Sequence, residues 1–103
     1  MDKAEALRIA NHYIDTLSSK YVILQAFIFG SFAKGTNHAD SDIDIAIVVK
    51  NVSDIIDTQI DMMKLRRKVD LRIEPHPFLS KDFTKDNPVV SEILKFGIQI
   101  KQQ

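Results

Sequence analysis

Between Asp42 and Val49 the chain reads DIDIAIVV, and no other stretch limits the fold as much. Side chains two apart on a strand point to the same face. As a strand, this run gives Ile43, Ile45 and Ile47 one face, which can pack beneath helices, and Asp42 and Asp44 the other. The strand rise sets the Cα atoms of that pair roughly 6.5–7 Å apart. Asp is a poor strand former, and a buried carboxylate without a partner is costly. Converging carboxylates repel unless a cation lies between them, and hard oxygen ligands suit Mg2+ or Mn2+.

The flanking sequence predicts what surrounds this strand. Ala6, Leu7, Ala10, Ile14 and Leu17 recur at helical spacing from Asp2, a candidate N-cap, to about Ser19. YVILQAFIFG reads as a buried strand closed by Gly30, SFAK as a short helical turn, and GTNHADSD as a loop. NVSDIIDTQIDMMKLRRK reads as a helix capped by Ser53, with Ile56, Ile60 and Met63 as its apolar stripe. VDLRIE alternates at period two and predicts a half-buried strand that Pro75 and Pro77 end. Phe78 to Asn87 lacks clear periodicity. Pro88 to Phe96 suits a helix with Gly97 at its C-cap, and IQI follows as a short strand or extended tail. The order helix, strand, strand, helix, strand, helix indicates a two-layer α/β (α+β) domain. The length of 103 residues suits one domain over residues 1–103.

The alternation in VDLRIE puts Asp70, Arg72 and Glu74 on one face. If that strand lies beside Ile43 to Val49, the apolar faces must coincide, and Asp70 falls on the face of Asp42 and Asp44. Three carboxylates around one point can hold two metal ions about 3.5–4 Å apart, an arrangement suited to in-line phosphoryl transfer. Taken alone, a DxD pair is more often a solvated strand end. Asp40, Asp42 and Asp44 also mimic the start of a calcium loop, but Ile45 occupies the required Gly position and Asn51 the required Glu position. Asp40 reads as a loop or cap residue, with support of the neighbouring acids as the alternative; Arg72 and Glu74 read as a pair on a solvated face, with phosphate binding as the alternative for Arg72. His12, His38 and His76 show no metal-ligand spacing and read as surface residues.

Gly30 and Ser31 follow a strand and open a helical turn, where N–H groups and a hydroxyl can meet an anion. GSFAKGTN is neither a Walker A loop nor a dinucleotide fingerprint. Gly30-Ser31, ten residues, then Asp42-Ile43-Asp44 resembles the signature of the DNA polymerase β nucleotidyltransferase superfamily. Within it, GSFAKGTNHADSDIDIAIVV is similar to the minimal nucleotidyltransferase group, with VDL at Val69 to Leu71 matching its third acid and ILKFGIQI its closing helix and tail. The resemblance implies a small mixed β-sheet with helices packed mainly on one face. It implies transfer of a nucleoside monophosphate from a triphosphate, with ATP as the substrate and two Mg2+ ions, or Mn2+ in their place. Asp42 and Asp44 would bind both metals, and Asp70 the catalytic one while orienting the attacking hydroxyl. Gly30 and Ser31 would hold the β- and γ-phosphates, and Lys34, where the group often has Arg, would be a further phosphate contact.

Lys plus Arg equals Asp plus Glu at 14 each, so the net charge is zero, which argues against direct nucleic-acid binding. No cysteine is present, which excludes disulfides and thiolate zinc sites. No apolar run approaches the ~20 residues that span a membrane, and the N-terminus lacks a secretory pattern, so a cytoplasmic location is expected. Minimal members of the group occur with a helical HEPN-domain partner in toxin–antitoxin pairs. That resemblance implies an antitoxin that transfers AMP to a Tyr hydroxyl of a HEPN ribonuclease toxin. The alternatives are a protein that neutralises its HEPN partner by binding alone, and a nucleotidyltransferase acting on a small-molecule hydroxyl. An oligomer is compatible with any of them.

Overall fold

The computed structural model describes residues 2–38 and 41–102; Asp40 lies outside them. Helix α1 spans Lys3–Ser18, and Asp2 caps it by accepting the Glu5 N–H at 2.8 Å. Its buried stripe is Ala6, Ala10, Tyr13, Ile14 and Leu17. The Tyr13 hydroxyl donates to the Met62 carbonyl at 2.6 Å, which satisfies a buried phenol and ties α1 to the next long helix. Burial pushes the pKa of that phenol well above its ordinary value.

Strands β1 (Val22–Phe29), β2 (Ile43–Lys50), β3 (Ile73–Leu79) and β4 (Ile98–Gln102) form a four-stranded sheet in the order β3-β2-β1-β4. β1 runs antiparallel to β2 and to β4, while β2 and β3 are parallel. The IQI segment is therefore a full strand. A register shift between Ile23 and Gln25 resets the phase of β1. It lets Ile23, Ala26 and Ile28 join the core with Ile43, Ile45, Ile47, Val49 and Ile73, beneath α1. Phe27 and Phe29 consequently face the opposite side, where a smaller cluster gathers Phe27, Ala46 and Ile93 with Phe29, Phe78 and Phe83 packed against it.

Helix α3 spans Ile55–Leu65, after the four-residue α2 (Ser31–Lys34). Its N-cap is Asp54, not the expected Ser53: the Asp54 carboxylate accepts the N–H groups of Ile56 and Asp57 at 2.9 and 3.1 Å. The expected stripe is also out of phase. Ile56 and Ile60 are 66% and 50% exposed, whereas Thr58 and Met62 are buried. Apolar residues occur around most of this helix, so periodicity alone leaves its phase open; Met62 joins the core, with Ile55 and Leu65 packed against it.

The third strand differs most from expectation. It runs from Ile73 to Leu79, starting where VDLRIE was to end and passing through Pro75 and Pro77. The Arg72 carbonyl accepts the Ile43 N–H at 2.8 Å, so even-numbered backbone groups here face β2 and odd-numbered ones face the open edge. Both prolines thus lack an N–H only where no strand would receive it. Side chains of α3 and of the 3-10 turn that follows it (Arg66–Lys68) cover that edge. Arg66 donates to the Ile73 carbonyl at 2.8 Å and Gln59 to the Pro75 carbonyl at 3.4 Å.

Helix α4 (Pro88–Phe96) starts with Pro88 at its first turn and Asn87 as cap, and Gly97 closes it. A Cβ at Gly97 would lie 2.4 Å from the Ile93 carbonyl oxygen, so a side chain there forces the chain apart. Val90 and Ile93 are the helix's buried residues.

Candidate active site

The C-terminal end of β1 and the N-terminal ends of β2 and β3 meet at one end of the sheet. At this end β1 stops at Phe29, which pairs with Asp44 of β2. Gly30 follows with φ +74°, a conformation that L side chains rarely adopt. A Cβ at Gly30 would also sit 2.6 Å from Asp44 Oδ2. Glycine is therefore required here twice, once for its backbone and once for the carboxylate lying against it. Ser31 opens α2, which Gly35 ends in the left-handed region at φ +76°.

The loop leading to β2 closes on itself. The buried Ser41 accepts the His38 N–H on its hydroxyl at 2.8 Å and donates its own N–H to the His38 carbonyl at 3.0 Å. Asp42 comes next, exposed and directly before β2, and Asp44 follows on the strand with a half-buried side chain. The sequence-predicted Gly30, Asp42 and Asp44 are thus brought to one end of the sheet.

Asp70 and Lys34 are each engaged by another side chain. Asp70 lies in the turn before β3, and Arg72 grips its carboxylate: Nε donates to Oδ1 at 2.9 Å, Nη2 to Oδ2 at 2.7 Å, and the Arg72 N–H to Oδ1 at 2.9 Å. The hydrogen bond from the Arg72 side chain holds the Asp70 carboxyl below the usual carboxylate range, and the same contact raises the guanidinium pKa. Arg72 and Glu74 do not pair; Glu74 instead meets Arg66 Nη1 at 3.3 Å. Lys34 forms an ion pair with Glu92 of α4, its ammonium 5.5 Å from the centre of the Phe96 ring.

In the observed register Glu74 stands opposite Asp44, the position sequence periodicity had assigned to Asp70. His76, two residues further and on the same face, lies opposite Ala46. Its Nε2 is 3.2 Å from Asp44 Oδ1, and its ring meets Phe29 edge-on with centroids 5.0 Å apart. Reading Pro75 and Pro77 as strand terminators hid His76, while Glu74 was expected on the right face but not opposite Asp44. The usable signal was that His76 precedes a proline, which favours extended backbone. Among the described residues, no three His, Asp or Glu side chains converge as a ready metal cage.

Solved structures share this architecture. A Sulfolobus solfataricus protein assigned as a nucleotidyltransferase superposes with a TM-score of 0.72 at 19% identity, over 98% of this chain and 84% of that one. A chain of a toxin–antitoxin complex with AMP-PNP gives 0.67 at 22% identity, over 90% and 73%. The MntA–HpeT toxin–antitoxin pair carrying two Asp-to-Glu substitutions gives 0.65 at 21% identity, over 90% and 73%. At these identities the likeness concerns the fold. The sequence matches no curated protein. The chain belongs to the polymerase beta nucleotidyltransferase family, whose model matches residues 11–103.

Proposed function

We propose that this protein transfers AMP from ATP to a hydroxyl, with a Tyr of a HEPN-domain toxin as acceptor, and so acts as the antitoxin of the pair. The observation that carries the reading is the Asp44 carboxylate lodged against Gly30, two residues beyond the exposed Asp42. Asp44 thus offers one hard oxygen donor beside the Gly30 turn, and Asp42, two residues earlier in the chain, would supply the second. Mg2+ commonly binds through one or two carboxylates plus substrate phosphates, so an acid pair beside a phosphate-holding turn fits it without an all-protein cage. Asp42 and Asp44 would hold the ions, Mg2+ or Mn2+. When bound, they supply charge stabilisation for the transferring phosphoryl group and a lowered pKa for the attacking hydroxyl.

The chain's own residues have separate tasks in this reading. Gly30 and Ser31 hold the β- and γ-phosphates, and the tight turn permits close backbone approach. The acceptor oxygen bonds to the α-phosphorus, the bond from that phosphorus to the bridging oxygen breaks, and pyrophosphate departs. Glu74, opposite Asp44 and singly paired with Arg66, would orient the acceptor hydroxyl and take its proton on leaving Arg66. Asp70 remains the rival for that role and would first have to leave Arg72. Lys34 would likewise have to leave Glu92 before reaching phosphate.

The toxin–antitoxin structures with this fold support the type of partner, and the one with AMP-PNP supports an adenine nucleotide. Among the described residues no helix is long and apolar enough to cross a membrane. A cytoplasmic site of action belongs to the same proposal. The test is incubation with α-labelled ATP, Mg2+ and the product of the adjacent gene. Label on a partner tyrosine, lost in the Asp42→Ala/Asp44→Ala double variant, is the expected result. Unlabelled partner with neutralisation unchanged by that variant would instead establish action by contact alone.

A further inference from the structure

We propose that His76 is a positioning residue that fixes the Asp44 carboxylate in the orientation needed to receive a divalent cation. The inference rests on the metal-holding role given to Asp44 above. An ionised carboxylate only accepts hydrogen bonds, so the 3.2 Å contact is productive only when His76 Nε2 carries the hydrogen. The contact engages Oδ1, while Oδ2 lies on the side of Gly30. One oxygen is thereby tethered and the other is directed toward the Gly30 turn. Such outer hydrogen bonds restrict how a ligating carboxylate can turn.

The imidazole is itself held. Phe29 meets it edge-on, and Phe29 also pairs with Asp44, so the aromatic ring and the carboxylate are neighbours through one strand pairing. Glu74, His76 and their prolines read E-P-H-P along β3. Each proline fixes its own φ and restricts the residue before it to extended conformations. Both polar residues of this strand are therefore set on backbone with little freedom, beside a carboxylate that must not rotate. Other groups near Asp44 on this end of the sheet are Asp42 and Glu74, and neither is bonded to it.

The test uses the full chain, Mn2+ and AMP-PNP, with Mn2+ binding followed by electron paramagnetic resonance. His76→Ala should weaken Mn2+ binding by about 10-fold or more, in the range found for outer-shell partners of metal ligands. His76→Gln, whose amide nitrogen can occupy the place of Nε2, should recover most of that loss. Circular dichroism should report the same fold in both. Should His76→Ala destabilise the chain, nitrogen-15 spectra of the native metal-free protein provide the second measurement. They should show hydrogen on Nε2 of His76, with that preference lost in Asp44→Ala. Wild-type affinity in His76→Ala, or no effect of Asp44→Ala on the imidazole, overturns the inference while leaving the nucleotidyltransferase reading intact. Absence of any Mn2+ binding by the native chain overturns both.

Discussion

Asp44 and Asp70 are both partly buried aspartates beside the parallel β2–β3 pairing, yet their surroundings differ in kind. Asp70 has each oxygen taken by the guanidinium of Arg72, plus a backbone N–H, so its charge is spent within one turn. Asp44 meets one imidazole nitrogen at 3.2 Å and a glycine that leaves space for its second oxygen. The first arrangement suits a carboxylate that fixes the chain's entry into β3. The second suits one that is oriented but not satisfied, as a ligand must be. A partner that closes the full geometry of an acid removes it from chemistry; a partner that tethers one corner prepares it.

The largest effect expected from this contrast is at Asp44. Loss of several kcal/mol of charge stabilisation, at about 1.4 kcal/mol per tenfold, predicts that Asp44→Ala lowers nucleotidyl transfer by roughly 10³-fold, measured as label transferred per minute. Next, Glu74→Gln should lower kcat by about 10²-fold, the scale of a lost general base, while thermal stability changes little. A severe loss of transfer in Asp70→Asn, with Glu74→Gln active, would reverse the comparison and return the third acid to Asp70.

Gly30→Ala should destabilise the fold by about 1–3 kcal/mol through backbone strain and also impair Mn2+ binding, because its Cβ enters the space of the Asp44 carboxylate. Gly97→Ala is the control: its clash is with the Ile93 carbonyl, so melting temperature should fall without a comparable loss of metal affinity per unit of folded protein.

Asp70→Asn should cost about 1 kcal/mol, since the Arg72 partner is partly exposed and solvent screens the pair. The sign of its pH dependence follows from linkage. Asp70 has a folded pKa below its ordinary value of 3.8, so it contributes stability above that value and loses it as pH falls through the folded pKa. Melting curves of native and Asp70→Asn protein should therefore differ near neutrality and converge in acid. The smallest effect is expected at Pro77→Ala, about 0.4–1 kcal/mol from added freedom of the unfolded chain, read by urea denaturation.

The same contrast explains what could be read from the sequence. Gly30, Asp42 and Asp44 were legible because each is defined by near neighbours: a strand ending, a turn, a short alternating run. The leading helix and Pro88–Phe96 were legible through caps that act within one turn. Glu74 and His76 were not, because their significance depends on register with β2, which sequence alternation fixes only to within two residues. VDLRIE and IEPHPFL carry compatible alternation, and the turn at Asp70 decides between them. Prolines then misled, because their compatibility with a strand depends on which side of the sheet they face. The phase of α3 was hidden for a similar reason: Ile56 and Met62 are both apolar, and only packing against the distant core selects one face.

The guarded margin of β3 has a consequence for assembly. A sheet with two receptive margins can add copies without limit, whereas one with a single receptive margin closes after one addition. Here Pro75 and Pro77 withhold donors, and Arg66 and Gln59 occupy acceptors, along one margin. Only the β4 side remains receptive among the described strands. Self-pairing through the sheet would therefore end at a symmetric pair, and the geometry that stiffens one wall of the site also guards that margin against strand addition.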